Sequence, residues 1–227
     1  MRAGIELLAV DLDGTLIDSA PDIAHCLGLA LESLGFVAPG EVRARDWIGD
    51  GVETLIERAL VHALAARGNT AQNAQELHSA ALREFLARYA ENLFVRSRLY
   101  PGVAETLDLL RARDVRLCCI TNKRIAFSEP LLELAGIRDR FELVIGGDSL
   151  PQKKPSPLPL NVAAATLGVA SSAAALVGDS IHDARAARAA GWSFIWATFG
   201  YCVIPQVEVG TSASIERFAD LAALVRP

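Results

Sequence analysis

The chain has 227 residues, 52% of them apolar and 22% charged, enough to bury a substantial core in one large domain or two modest ones. Twenty-two basic against 27 acidic residues leave a net charge of −5 with no basic block, so the electrostatic footprint of a nucleic-acid binder is missing. A membrane span is excluded too, because the Ala-rich stretch around Val162 to Val177 is interrupted by Thr166, Ser171 and Ser172.

An apolar run from Ile5 to Val10 ends in Asp11-Leu12-Asp13-Gly14-Thr15. This reads as a short buried strand meeting a turn, with two carboxylates on its last rung. Acids in that place are costly to desolvate without a cation or proton partner. Helical patterns follow. Ile23, Leu27, Ala30, Leu31 and Leu34 share one face and stop at Gly35. Val52, Leu55, Ile56, Ala59, Leu60 and Ala63 form a second face ending near Gly68, and Leu77, Ala81, Phe85 and Tyr89 mark a third. Residues 16–95 are therefore expected to be an all-helical insertion. Tyr100-Pro101-Gly102 punctuates the return, and Val103 to Arg113 reads as a crossover helix. Further apolar runs lie at Val115–Ile120, Leu143–Ile145, Ala175–Val177 and Phe194–Ala197, the last strand expected. Strands alternating with helices predict an α/β domain whose parallel sheet is covered on both faces. The expected division is residues 1–15 with 96–227 as the α/β core, and 16–95 as the helical domain.

In an open parallel sheet the carboxyl ends of the strands share one edge, where ligands bind. Four segments converge there. They are Asp11 with Asp13, Thr121-Asn122-Lys123, the loop ending in Lys153-Lys154-Pro155, and Gly178-Asp179-Ser180-Ile181-His182-Asp183. Asp11, Asp13, Asp179 and Asp183 against one Lys154 leave three negative charges, a poor site for an anion until a divalent cation joins. A hard, oxygen-liganded ion such as Mg²⁺ fits this inventory, and no His/Cys cluster of zinc type is present. Cys26, Cys118, Cys119 and Cys202 form no C-x-x-C pair and suit a reducing compartment. The Met1-Arg2-Ala3-Gly4 start has no signal-peptide layout, so a cytoplasmic location is expected. Gly147-Asp148-Ser149 mimics Gly178-Asp179-Ser180 but lacks the following Asp, which makes Asp148 a loop or lysine-positioning residue. Lys123 is open between positioning phosphate and a solvated loop charge. His25, His62 and His78 read as structural, and His182 as peripheral.

These motifs, in this order, resemble the phosphatase branch of the haloacid dehalogenase-like superfamily over nearly the whole chain. D-x-D-G-T is Asp11 to Thr15, the Thr-Asn motif is Thr121-Asn122, the lysine motif is Lys154-Pro155, and G-D-S-x-x-D is Gly178 to Asp183. The resemblance implies a Rossmann-like core with an all-helical cap inserted after the first strand. It also implies a nucleophilic Asp11 forming an aspartyl-phosphate, with Asp13 as general acid and then base. Mg²⁺ would be held by the Asp11 carboxylate, the Asp13 backbone carbonyl and Asp179, with Asp183 holding a metal-bound water or orienting its neighbours. Thr121 and the Asn122 backbone would donate to phosphate oxygens, and Lys154 would neutralise Asp11 and the phosphoryl group. Asp13 separates phosphatase from dehalogenase, since a departing halide needs no proton.

The cap would carry the specificity determinants. Arg45, Trp47, Gly49, Asp50 and Gly51 lie in a Gly-rich turn at the start of a helix, where backbone N–H groups suit an anion. Trp47-Ile48-Gly49-x-Gly51, Asp18 to Asp22, Val144 to Asp148 and Phe199-Gly200-Tyr201 are similar to bacterial phosphoglycolate phosphatases. The implied substrate is a small phosphorylated metabolite, 2-phosphoglycolate first. Alternatives are another sugar phosphate, pyrophosphate, a phosphosugar mutase reaction, or a non-catalytic phosphate binder. Asp50 departs from the Asn common in that family. It either caps the helix beginning near Val52, the favoured reading, or faces the substrate with Arg43 or Arg45 compensating. Monomer and homodimer stay undecided.

Overall fold

The hydrophobic segment Leu7–Val10 forms β1, with all four residues inaccessible to solvent. A central strand of a parallel sheet is covered on both faces and so reads as a continuous apolar run, and β1 has a parallel neighbour on each side. The computed structural model describes residues 4–66, 74–201 and 212–225. Met1 to Ala3, the helix end expected near Gly68, and Cys202 lie outside the described residues. The remaining strands are β2 (Ile17–Asp18), β3 (Arg98–Leu99), β4 (Arg116–Ile120), β5 (Leu143–Ile145), β6 (Ala174–Gly178), β7 (Ser193–Ala197) and β8 (Ala213–Ile215).

The main sheet runs β5-β4-β1-β6-β7-β8, and every pairing in it is parallel. Chain order reverses direction across β1 and β6, which makes their carboxyl ends the topological switch point of a Rossmann-like sheet. Alternation settles the faces. Leu7, Ala9, Cys118, Ile120, Leu176 and Phe194 enter one core cluster together with Leu160 and Ala163 of α7 (Leu158–Leu167) and Ala184 and Ala187 of α8 (Ile181–Ala190). Alanines on α8 let that helix lie close to the strands. A capping box between Ser180 and Asp183 starts α8, and Gly191 in the left-handed region ends it.

Two compact units partition the chain. One comprises residues 1–18 and 98–227, the other 19–97. The second is helical: α1 (Ala20–Ser33), α2 (Glu41–Arg45), α3 (Val52–Ala65) and α4 (Ala74–Glu91). Ala81, Phe85 and Tyr89 repeat every four residues and are buried, and the Phe85 and Tyr89 rings stack at 5.4 Å. In the first unit α5 (Val103–Arg111) crosses to β4, α6 (Ile125–Leu134) follows it, and α9 (Leu221–Leu224) closes the described chain.

Two expectations need correction. Phe194–Ala197 is not the final strand, because β8 pairs with β7 beyond it, Ile195 opposite Ala213. Only three residues long, it carries no readable alternation. Residues 16–18 are not helical either. Ile17 and Asp18 form a two-residue antiparallel ribbon with Leu99 and Arg98, so the compact helical unit starts at Ser19 and ends at Ser97.

Candidate active site

Asp11 directly follows β1, and its N–H donates to Val177 O at 2.9 Å, tying the end of β1 to β6. Asp179 directly follows β6, so the switch point carries one buried carboxylate from each strand. Asp183 joins them from the first turn of α8. One carboxylate oxygen from each of Asp11, Asp179 and Asp183 lies within 4.8 Å of the others.

Lys154 binds this group together. Its side chain is buried, and its Nζ donates to Asp11 Oδ1 at 2.8 Å, Asp183 Oδ1 at 2.6 Å and Ile120 O at 2.6 Å. An ammonium has three protons, and all three are used. Lys153 is only half-buried, so the two lysines are told apart by position. The Asn122 amide donates to Lys154 O at 3.0 Å, which fixes the lysine main chain against the Thr121-Asn122 turn. Thr121 and Asn122 are both buried, and Thr121 Oγ1 accepts the Lys123 N–H at 3.2 Å.

Electrostatics follow from this crowding. Burial pushes Asp11 up to about 7, with Lys154 opposing and Asp183 adding to the rise. Burial also pushes Asp179 up to about 8, reinforced by Asp11 and Asp183. Burial alone would lower Lys154, but Asp11 and Asp183 outweigh it and hold the ammonium charged. Three acids this close, two of them reluctant to ionise, call for more positive charge than one lysine brings. Their donors are hard carboxylate oxygens, the set that suits a hard divalent cation.

Asp179 is held from several sides. Its Oδ2 accepts the Tyr201 N–H at 2.7 Å, and Thr15 Oγ1 lies 3.4 Å from its Oδ1. The backbone runs so near that side chains are excluded. A Cβ on Gly14 (φ +83°) would stand 2.5 Å from Asp179 Oδ2, and one on Gly200 would overlap the Asp179 side chain. Asp183 orients rather than dangles: its Oδ2 accepts Ser180 Oγ at 2.6 Å and Ser180 N at 3.1 Å.

Asp13 and Lys123 form a pair that sequence reasoning missed. Lys123 Nζ donates to Asp13 Oδ1 at 3.1 Å and Oδ2 at 3.0 Å. Lys123 is thus neither a solvated loop charge nor a group without a carboxylate partner. Asp148 accepts the Ile125 N–H at 2.8 Å at the start of α6, a loop role and not a contact with Lys154.

The five residues of the Gly-rich turn lie in the helical unit. Arg45 ends α2 and pairs with Glu41 at 3.0 Å, one turn back. Trp47 stands against the His62 ring at 5.5 Å, and Gly49 and Gly51 take φ of 122° and 92°. Asp50 does not cap α3. The residue preceding that helix is Gly51, and the Asp50 carboxylate pairs instead with Arg58 on α3. The same guanidinium donates to Trp47 O at 3.1 Å, so Arg58 clasps the turn at both ends. Arg58, eight residues on, is a cation that offsets the Asp50 charge. His78 is structural as expected, bonding Glu53 O at 3.0 Å between α4 and α3.

A family model for haloacid dehalogenase-like hydrolases matches residues 5–191, and the chain belongs to that family. It is 45% identical to a phosphoglycolate phosphatase of Nitrosococcus oceani, the match covering 86% of this chain and 85% of the relative. A phosphoglycolate phosphatase of Thiobacillus denitrificans is 38% identical, with 97% and 96% covered. A crystal structure of a predicted phosphoglycolate phosphatase from Haemophilus somnus superimposes with a TM-score of 0.93 at 34% identity, covering 98% of both chains. Within the family the protein is a phosphatase, a phosphoric monoester hydrolase acting on small phosphorylated substrates.

Proposed function

We propose that the protein hydrolyses 2-phosphoglycolate to glycolate and phosphate, through an aspartyl-phosphate on Asp11 and with Mg²⁺ as cofactor. The observation that carries the reading is the Lys154 ammonium bonded at once to Asp11 and Asp183 beside Asp179. In this reading one Asp11 oxygen attacks phosphorus and the bond from phosphorus to the ester oxygen breaks. Asp13 gives its proton to the departing oxygen. Water then attacks phosphorus, the bond to Asp11 breaks, and Asp13 takes the proton from that water. Lys154 holds Asp11 in place and offsets charge on the phosphoryl oxygens, while Thr121 and the Asn122 main chain donate to them. Mg²⁺ would be held by the Asp11 and Asp179 carboxylates and the Asp13 carbonyl, with Asp183 oriented by Ser180; once bound it neutralises the phosphoryl charge.

The substrate assignment draws on the named relatives and on the Trp47-to-Gly51 turn, to which leaving-group recognition is assigned in the helical unit acting as cap. A reducing, cytoplasmic setting suits the three described cysteines, which are all free and buried. Among the described residues no helix is long and apolar enough to cross a membrane. A panel of phosphomonoesters and pyrophosphate at millimolar Mg²⁺ tests the reading. It predicts 2-phosphoglycolate among the best substrates and free phosphate as product. A poor rank for that ester, or an isomerised phosphate ester as product, contradicts it. Asp11→Asn is expected to abolish turnover while the melting profile stays folded.

A further inference from the structure

We infer that Lys123 is a positioning residue that aims the Asp13 carboxyl at the leaving group of the substrate. The inference rests on the proposed role of Asp13 as general acid and base. Both side chains of the pair are sheltered, Lys123 at 7% and Asp13 at 13% exposure, and the ammonium reaches both carboxylate oxygens. A charge-assisted contact to both oxygens in a sheltered place holds the carboxylate in position. Lys123 is itself rigidly mounted. Its N–H donates to Thr121 Oγ1 at 3.2 Å, and its carbonyl accepts the Gly147 N–H at 2.7 Å. The Thr121-Asn122-Lys123 turn is thereby locked to the loop after β5, and the lysine stem starts from a fixed point.

Asp13 lies beyond the end of β1, ahead of Gly14 with φ +83°, and its main chain bridges to Ile17. The ammonium is the cation that holds its side chain at the site. Proton delivery depends steeply on such placement, because the acid must stand within hydrogen-bond reach of the departing oxygen. Lys123 gives up no proton in this scheme. The proton passes from the Asp13 carboxyl to the ester oxygen as the phosphorus–oxygen bond breaks, and returns from water in the second half-reaction.

The test is kcat/KM for a series of phosphomonoesters of graded leaving-group acidity, from 2-phosphoglycolate to p-nitrophenyl phosphate. Lys123→Met is expected to lose about 10–100-fold on the alkyl ester and less than about threefold on the aryl ester, whose leaving group needs no proton. Lys123→Arg, which keeps a cation, is expected to recover most of the loss. In an Asp13→Asn background Lys123→Met should cost less than about threefold further, as expected of residues that act as one unit. Lys123→Gln carries the same comparison where Lys123→Met does not fold. A uniform loss across all esters makes Lys123 a phosphate-binding group and overturns the inference, as does a full additional loss in the Asp13→Asn background or no loss at all. An Asp13→Asn enzyme with no preference for good leaving groups overturns the acid assignment itself, a separate and visible outcome.

Discussion

Asp179 shows how much a single carboxylate depends on what is missing around it. Gly14 and Gly200 approach it from two loops, and Tyr201 N–H points at its Oδ2 from 2.7 Å. A methyl group at either glycine has nowhere to go except into the carboxylate. Gly200→Ala is therefore expected to displace Asp179 and to weaken apparent Mg²⁺ affinity about 10–100-fold, a cost typical of disturbed outer-shell support. Magnesium dependence of the initial rate measures this, and an unchanged dependence would show that Asp179 plays no part in metal binding. The acids themselves were readable from the sequence, because charge at the end of an apolar run demands explanation. Their supports were not. Tyr201 and Lys123 act from 22 and 110 residues away along the chain, and no local pattern reports such a contact. Arg58 escaped for a different reason: one exposed-looking arginine on a helix is ordinary until Asp50 is found opposite it.

Among the elements, α1 and the segment that closes the helical unit carry the clearest structural device. Asp22 sits in the first turn of α1, wholly buried, and accepts the N–H groups of Arg96 and Ser97 at 2.9 Å each and Ser97 Oγ at 2.5 Å. One carboxylate thus ties the outgoing chain of the helical unit to the returning one. Asp22→Ala leaves three donors without their acceptor and is expected to cost about 2–4 kcal/mol. Hydrogen exchange resolved to the amides of residues 96 and 97 checks it, with both accelerating strongly. Protection equal to wild type would show the tie to be dispensable. Some elements were legible in advance: α1, α3 and α4 declare themselves by periodicity over 14 to 18 residues, and β1 by an unbroken apolar run that ends in charge. The two-residue strands β2 and β3, the five-residue α2 and the three-residue β8 were not. Segments this short have no period, and tertiary pairing alone decides them.

For the molecule as a whole, one sheet order accounts for the chemistry. Crossing outward to β4 and β5, then back past β1 to β6, brings Asp11, Lys154 and Asp179 together from 11, 154 and 179 residues into the chain. Strand–helix alternation was enough to foresee the shared edge, and the four motifs to foresee its occupants. Substrate choice was less accessible: the turn proposed to govern it lies in a separate compact unit, and its Asp50–Arg58 pairing leaves no local sequence pattern. The central claim is a covalent phosphoryl group on Asp11. Turning the enzyme over with 2-phosphoglycolate and Mg²⁺, quenching it rapidly and reducing it with borohydride converts an aspartyl-phosphate to homoserine, which peptide mass spectrometry locates. The account predicts homoserine at position 11 in turning-over enzyme and none without substrate. Steady turnover with an unmodified Asp11, or homoserine at another aspartate, would contradict it.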